Sequence, residues 1–166
     1  ENMCAMQKVC DVYSNEEKKH EVYMVVPEST DLMEKFIVFR DRKTQEKIQL
    51  TDSGVVINEK LANLLDVKKG DSLYFNRGYE LEITGIIENY TYNYVYMTEE
   101  CYNKAGFENK LKNNIIYMNM SDTSQEETLS KALVSRDDVM AVTYAAHGGD
   151  KFRDLVISLT AIVVVV

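Results

Sequence analysis

Apolar and polar positions alternate in two segments near the start of the chain. The segments MCAMQKVCDVY (3–13) and HEVYMVV (20–26) predict β-strands, because alternation with period two gives a strand one apolar face. The polar stretch SNEEKK between them is typical of a turn, so the two strands should form an antiparallel pair. Pro27 ends the second strand, and STDLMEKF then predicts a short helix capped by Ser29 or Thr30.

The next two segments change period several times. FIVFRDRKTQEKIQL (36–50) predicts a strand, a charged turn and a second strand. SGVVINEKLANLLDVKKGDSLYF (53–75) predicts a short strand, then a helix capped by Asn58, a turn at Gly70 and another strand. The predicted buried positions of this helix are Leu61, Leu64 and Leu65.

The middle of the chain predicts further strands. YELEITGIIENY (79–90) alternates, and Gly85 within it would permit a β-bulge or a sharp bend. The segment YTYNYVYM then places four tyrosines at period two, so on one uninterrupted strand their rings would share a face. They are Tyr90, Tyr92, Tyr94 and Tyr96. Two hypotheses follow: an aromatic strip that contacts a sugar, a peptide or a partner, or a hairpin whose tyrosines pack over the edge of the core with their hydroxyls at the surface.

The last third favours a βαβ unit. NNIIYMNM (113–120) and DVMAVTYAA (138–146) predict two parallel strands, and SQEETLSKALVS (124–135) predicts the helix that joins them. Ser124 and Glu127 have the spacing of a capping box, and the predicted buried stripe is Leu129, Ala132 and Leu133. A short helix at TEECYNKAGF precedes this unit.

The fold class predicted from these elements is α+β with two lobes. Residues 1–19 and 98–154 would form a βαβ-containing lobe from both chain ends, and residues 20–97 would form an inserted β-rich lobe. Residues 155–166, LVISLTAIVVVV, are apolar on all sides except for Ser158 and Thr160. We expect them to be the truncated start of a transmembrane helix; the alternative is a buried helix or strand, because a full span needs about 20 residues.

Composition and charge narrow the possible functions. The chain has 27 acidic and 19 basic residues and a net charge of −8, which argues against a nucleic-acid partner because such proteins carry basic faces. Its three cysteines form no CxxC motif, and its two histidines complete no metal-ligand spacing. Cys4 and Cys10 would lie about 20 Å apart on one strand, too far for a disulfide. We predict no catalytic residue, cofactor or metal site.

Four segments in order resemble the extracytoplasmic domain of FtsX/MacB-type ABC transporter permeases. They are a strand–helix–Gly70-Asp71 segment, a strand from Ile83 to Tyr90, a Tyr94–Met97 strand followed by a helix, and a βαβ unit from Ile115 to Tyr144. The apolar SLTAIVVVV comes last, where the family has its next transmembrane helix. The resemblance extends from about Glu21 onward and is specific in the order of the segments.

The resemblance implies a non-enzymatic protein in the cell membrane, with this domain on the extracytoplasmic side. A separate cytoplasmic ATPase would hydrolyse ATP, and the permease, a dimer in the full transporter, would transmit the conformational change outward (mechanotransmission). The family's outer domains act on peptides, lipids or protein partners. The implied partner-contact candidates are the four tyrosines, and Gly148 and Gly149 would form a hinge towards the membrane helix.

Two alternatives stay open. The segment VVINEKLANLLDVKKGDSLYF also resembles the strand–helix–strand element of small swapped-hairpin barrels, some of which bind DNA, although the acidic charge counts against DNA. The chain would otherwise be a soluble carbohydrate- or peptide-binding module that uses the tyrosine strip. In that case the terminal valines would belong to the core.

Overall fold

The fold is α+β, and a computed structural model describes residues 1–15, 18–75, 78–89, 91–107, 111–120, 123–144 and 160–165. The strands within these ranges are β1 (Asn2–Tyr13), β2 (Lys19–Pro27), β3 (Gly54–Asn58), β4 (Ser72–Phe75), β5 (Glu80–Ile87), β6 (Tyr94–Tyr96), β7 (Ile115–Asn119), β8 (Val139–Tyr144) and β9 (Thr160–Val165). The α-helices are α1 (Thr30–Met33), α2 (Glu59–Leu65), α3 (Glu99–Lys104) and α4 (Glu126–Val134).

Six strands close into a barrel. Their order is β1-β2-β6-β3-β5-β4, and β4 pairs again with β1. The predicted antiparallel pair of β1 and β2 is confirmed, with Ala5 opposite Pro27 and Tyr13 opposite Lys19. The predicted strand–helix–strand element β3–α2–β4 is part of this barrel.

The barrel interior is one hydrophobic core. All six strands contribute buried side chains to it, and α2 and α3 add Leu61, Leu65, Cys101 and Tyr102. Alternation decides which side chains point inward: Val22, Met24 and Val26 of β2 lie in this core, whereas the intervening Tyr23 and Val25 point to the outer wall.

Strand β1 also belongs to an extension of the sheet. Its first residues, Asn2–Ala5, pair antiparallel with β7, and the sheet continues through β9 to β8. Because β7 and β8 both run antiparallel to β9, they are parallel to each other, as predicted for the βαβ unit. The connection runs through a 3₁₀ turn at Thr123–Gln125 and then α4.

The structure corrects the prediction for the apolar C-terminal segment. A transmembrane helix was expected over residues 155–166, of which 155–159 and 166 lie outside the described residues. Thr160–Val165 form a strand whose neighbours are β7 and β8. A run of valine and isoleucine favours the extended backbone because branching at Cβ restricts the side chain in a helix. The described part of the chain contains no helix that is both long and apolar enough to cross a bilayer.

Three local predictions were wrong. Residues 36–50 do not form two strands, and only the bridge between Arg40 and Lys47 remains of the expected hairpin. Helix α4 begins after Gln125 instead of the predicted Ser124, and none of its side chains is buried. In α2, Leu61 and Leu65 are buried as expected, but Leu64 is 41% exposed.

A second hydrophobic core lies against the outer wall of the barrel. Helix α1, which Ser29 caps through its Oγ at 3.3 Å from Leu32 N, covers this wall together with residues 34–53. Phe36 and Phe39 from this segment pack among outward-facing residues of β1, β2, β3, β5, β6 and β7. Ion pairs from Arg40 to Glu88 and from Arg42 to Glu59 hold the segment to the barrel.

The predicted bulge at Gly85 is confirmed. The register between β3 and β5 shifts there, so that Val55 pairs with Ile83 and Val56 pairs with Gly85. A Cβ atom at Gly85 would come within 2.5 Å of Ile48 Cγ2, so the absence of a side chain lets residues 34–53 lie directly on β5.

Candidate functional site

The tyrosines of YTYNYVYM lie along the outer wall of the barrel, but they do not share one exposed strand. Strand β6 covers only Tyr94–Tyr96, and Tyr96 is 1% exposed within the second core. Its ring stacks on Tyr94 with centroids 5.6 Å apart and meets Phe39 edge to face at 5.2 Å. Tyr96 therefore packs in the core, whereas the hairpin hypothesis placed the tyrosine hydroxyls at the surface. Tyr90 lies outside the described residues.

The exposed end of this aromatic series is formed by three rings. Tyr92 is 63% exposed, and its ring stands edge-on to Tyr23 and Tyr94 at centroid distances of 5.7 and 6.4 Å. Tyr23 and Tyr94, which are neighbours in the pairing of β2 with β6, lie 5.6 Å apart. We refer to Tyr23, Tyr92 and Tyr94 as the tyrosine surface.

A buried amide fixes the loop that carries Tyr92. Asn58, which has no exposed surface, donates from Nδ2 to the carbonyl oxygens of Asn89 (3.1 Å) and Tyr92 (3.0 Å). Its Oδ1 accepts from Tyr94 N at 3.0 Å. Asn58 occupies the N-cap position of α2 as predicted, but its side chain makes no capping bond because it holds this loop instead.

The same loop is tied to β2. Tyr23 N donates to Asn93 O at 2.8 Å, and Asn93 Nδ2 donates to Glu21 O at 3.2 Å. Tyr92 has a φ of 52°, in the left-handed region that side chains other than glycine rarely adopt. The surrounding hydrogen bonds hold this unfavourable backbone in place, so the exposed ring is presented in one defined position.

The chemistry of the tyrosine surface is stacking and hydrogen bonding. Burial raises the pKa of Tyr94, and the neighbouring Tyr23 and Tyr92 add to the effect. The hydroxyl of Tyr94 therefore stays protonated at neutral pH and both donates and accepts hydrogen bonds. Ring faces attract apolar groups, sugars and cations.

The thiols and carboxylates do not form a second candidate site in the described part of the chain. All three cysteines are free, and burial raises the pKa of Cys10 to about 11 and that of Cys101 above its usual value. Thiols held in the protonated form are poor nucleophiles and poor metal ligands. Nowhere in the described ranges do three or more His, Cys, Asp or Glu residues come together in a group that could hold a metal ion.

Sequence reasoning did not place Tyr23 on this surface. It also missed that Asn58 supports the loop that carries Tyr92. The alternation of HEVYMVV placed Tyr23 opposite the apolar positions of β2, but no sequence signal indicated that β2 would pair with β6. Asn58 had the signature of a helix cap, and its use by a loop more than 30 residues away leaves no local pattern. The hinge candidates Gly148 and Gly149 lie outside the described residues.

Comparison with solved structures shows two similar folds. One is the extracellular domain of the noncanonic ABC-type transporter YknZ from Gram-positive bacteria, with 16% identity, coverage of 78% of this chain and 70% of that chain, and a TM-score of 0.55. The other is the periplasmic region of MacB from Actinobacillus actinomycetemcomitans, with 11% identity, coverage of 81% and 65%, and a TM-score of 0.51. This chain therefore corresponds to slightly less than two thirds of the MacB region.

The similarity is one of fold. No family model and no curated protein matches the sequence. One similar structure is an extracellular domain of an ABC-type transporter and the other is a periplasmic region, so the α+β fold implied by the resemblance of four ordered segments is confirmed.

Proposed function

We propose that this chain is the extracytoplasmic domain of an ABC transporter permease subunit. The domain would be non-catalytic and would couple ATP hydrolysis by a cytoplasmic partner ATPase to export of a substrate or to a partner outside the membrane. The observation that carries the proposal is the fold shared with the outer domains of YknZ and MacB at TM-scores of 0.55 and 0.51. The full-length permease would lie in the cell membrane and act as a dimer.

The described surface is suited to contact more than to chemistry. Its most exposed aromatic group, Tyr92, is held by hydrogen bonds from a buried amide, and rigid presentation of an aromatic ring lowers the entropy lost on binding. Tyr92 and Tyr94, together with Tyr23, are therefore our candidates for the contact with a peptide, lipid or protein partner. Tyr96 is excluded from this role by its burial.

The two-lobed division and the hinge belong to the same proposal. Residues 20–97 would form one lobe and residues 1–19 with 98–154 the other, with β1 contributing to the barrel wall as well. Motion would enter at Gly148 and Gly149. Replacement of both glycines by proline should uncouple ATP hydrolysis from substrate export or from the effect on the outer partner, while the domain stays folded. Unchanged coupling would contradict the proposed hinge.

The test of the proposed function uses the full-length protein in its own cells. A tagged copy should fractionate with the membrane and co-purify with an ATP-binding subunit that carries a Walker motif. In lipid nanodiscs, the complex should hydrolyse ATP. Deletion of this domain should abolish substrate export or the effect on the partner outside the membrane. Recovery of the protein in a soluble fraction, without an ATPase partner, would contradict the proposal.

The exposed tyrosine surface supports a second candidate, a soluble carbohydrate- or peptide-binding module. Aromatic side chains at the surface stack on the apolar faces of sugars and on peptide side chains. Fractionation decides between the two candidates, because only the permease requires the membrane. Binding of a ligand at Tyr92 in a protein that is fully soluble in its own cells would favour the second candidate.

A further inference from the structure

The outer face of the β1–β2 pair carries two arrangements of a carboxylate beside a tyrosine. Asp11 and Tyr13 lie two residues apart on β1, and Glu21 and Tyr23 lie two residues apart on β2, so each pair shares one face of its strand. Asp11 is directly opposite Glu21, and Tyr13 is directly opposite Lys19. The two pairs are thus neighbours on one surface.

The chain fills the first pair with its own cation. Lys19 Nζ lies 2.8 Å from Asp11 Oδ2 and 5.9 Å from the centroid of the Tyr13 ring. The carboxylate balances the charge, and the ring face attracts the cation through its quadrupole. The hydrogen bond to Asp11 also raises the pKa of Lys19, which keeps the ammonium group charged.

The second pair has no cation from the described part of the chain. The residue opposite Tyr23 is Val9, which is 49% exposed and carries no charge. On the other side of Tyr23 lie Tyr94 and the exposed ring of Tyr92. No basic side chain within the described ranges forms an ion pair with Glu21, because the nearby Lys19 pairs with Asp11. The Glu21 carboxylate therefore shares its strand face with Tyr23 and has no ion-pair partner of its own.

We propose that Glu21 and the tyrosine surface bind an arginine side chain on a peptide segment of a protein partner. The guanidinium group would pair with the Glu21 carboxylate and stack on the exposed ring of Tyr92, because a planar cation makes both contacts at once. The net charge of −8 on the chain would favour approach of a basic segment. The inference rests on the proposed function and names the chemistry of the partner.

The site is prepared for this ligand before binding. Asn58 holds the Tyr92 loop against β3 and Asn93 holds it against β2, through hydrogen bonds of 2.8 to 3.2 Å. The ligand therefore does not have to order the backbone that carries the ring. The left-handed backbone at Tyr92 is a strained conformation of the kind that persists where the surrounding structure requires it.

The first test is a titration of the 166-residue chain followed by ¹⁵N NMR. The probes are acetyl-Gly-Arg-Gly-amide and the same peptide with citrulline in place of arginine. Citrulline keeps the planar shape of arginine and lacks its charge. The arginine peptide should shift the amide signals of Glu21, Tyr23 and Asn93, and the citrulline peptide should bind about fivefold or more weakly. Equal binding of the two peptides would overturn the proposal.

Two substitutions locate the contact. Glu21→Gln and Tyr92→Ala should each raise the Kd for the arginine peptide about fivefold, since each removes one of the two contacts. Glu46→Gln, which changes an exposed carboxylate in the segment 34–53, is the matched control and should leave the Kd unchanged. If Glu46→Gln raises the Kd as much as Glu21→Gln does, the peptide is attracted by the negative charge of the chain as a whole. That result would contradict the proposed site.

A third substitution tests the equivalence of the two pairs. Lys19→Gln removes the internal cation from Asp11 and Tyr13, so a second arginine peptide should bind to the same face. If Lys19→Gln still binds only one peptide per chain, the Asp11–Tyr13 pair and the Glu21–Tyr23 pair are not equivalent cation sites.

Chitotetraose serves as the saccharide probe. If it displaces the arginine peptide and binds equally to Glu21→Gln, the surface is a glycan site and the proposed partner is wrong. These outcomes are independent of membrane fractionation. Absence of arginine binding would not contradict the permease proposal, and absence of an ATPase partner would not change the result of the peptide titration.

Discussion

Asn58 is the single residue on which the tyrosine surface most depends. Its buried amide makes three hydrogen bonds, to Asn89, Tyr92 and Tyr94. Asn58→Ala removes all three and leaves partly buried backbone groups without these partners, so we expect the free energy of unfolding to fall by about 2–4 kcal/mol. Urea denaturation followed by circular dichroism measures the change. Asn63→Ala, at an exposed position of α2, is the control; equal losses in both variants would contradict the assigned role.

The three cysteines should differ in reactivity. Burial raises the pKa of Cys10 to about 11, and Cys101 is fully buried with its Sγ 3.4 Å from Gly54 O. Cys4 is only partly buried, although its pKa is also raised. We therefore expect iodoacetamide at pH 8 to alkylate Cys4 about tenfold faster than Cys101, because reaction needs both access and thiolate.

Mass spectrometry of timed samples measures the three rates. The differences should disappear in urea, where all three thiols are equally accessible. A native protein in which Cys101 reacts as fast as Cys4 would show that the helix α3 opens readily.

Sequence patterns predicted single residues well where the cause is local. Ser29 caps α1 as expected, since a helix cap needs only its own side chain and the next few amides. Tyr96 and Tyr92 share the period-two spacing, yet one is 1% and the other 63% exposed. Their different fates are set by Phe39 and by the bond from Asn58, both distant in sequence, and no spacing rule contains that information.

At the scale of elements, the contact between Gly85 and Ile48 joins strand β5 to the segment 34–53. Gly85→Ala would place a Cβ atom 2.5 Å from Ile48 Cγ2, and such overpacking should lower the free energy of unfolding by about 1–3 kcal/mol. Ile48→Ala removes the clashing methyl group, so the double variant should be more stable than the sum of the two single effects predicts.

A double-mutant cycle by urea denaturation measures this coupling. Strictly additive effects would mean that β5 shifts to accept the new methyl group, and the close packing would then not be required for stability.

Element types were predictable where apolar periodicity was long. The strands β1, β2 and β5 and the helices α2 and α3 appear where the pattern placed them. The prediction of two strands over residues 36–50 was wrong because the apolar ends of this segment pack against the second core as irregular backbone. They do not pair with each other as strands. The terminal run Thr160–Val165 failed because hydrophobicity on all sides fits both a helix in lipid and a strand within a sheet, and pairing with β7 and β8 decides.

For the molecule as a whole, buried tyrosines limit stability at alkaline pH. Burial is the main cause that raises the pKa values of Tyr96 and Tyr117 above their usual value. Below about pH 10, both residues are protonated in the folded and the unfolded chain. Above it, the unfolded chain releases protons that the folded protein keeps, so the free energy of unfolding should fall as pH rises, by at most about 1.4 kcal/mol per pH unit for each residue.

Urea midpoints between pH 8 and pH 11.5 measure this dependence. Tyr117→Phe cannot release a proton in either state, so its stability should fall less steeply with pH than that of the parent chain. Parallel pH profiles would show that the pKa of Tyr117 is the same in the folded and the unfolded chain.

The closed barrel could not be derived from the sequence. Period-two patterns give each strand an inner and an outer face, but the order β1-β2-β6-β3-β5-β4 depends on which strands meet, and that is decided by the fit of distant side chains. The order of motifs did identify the fold, because the succession of segments resembles that of known outer domains. The tyrosine surface required the barrel, since Tyr23 and Tyr92 come from different parts of it.

Strand β1 comes before the other described strands in the chain, yet its pairing is among the last to be completed. All six strands of the barrel are present once Tyr96 has been synthesised. Asn2–Ala5 can pair with β7 only after Ile115–Asn119 have also been synthesised. A nascent chain of intermediate length therefore carries a finished barrel with one unpaired strand end. Open strand edges recruit other chains. During its synthesis the protein is thus most exposed to misassembly in the interval between the sixth strand and the seventh.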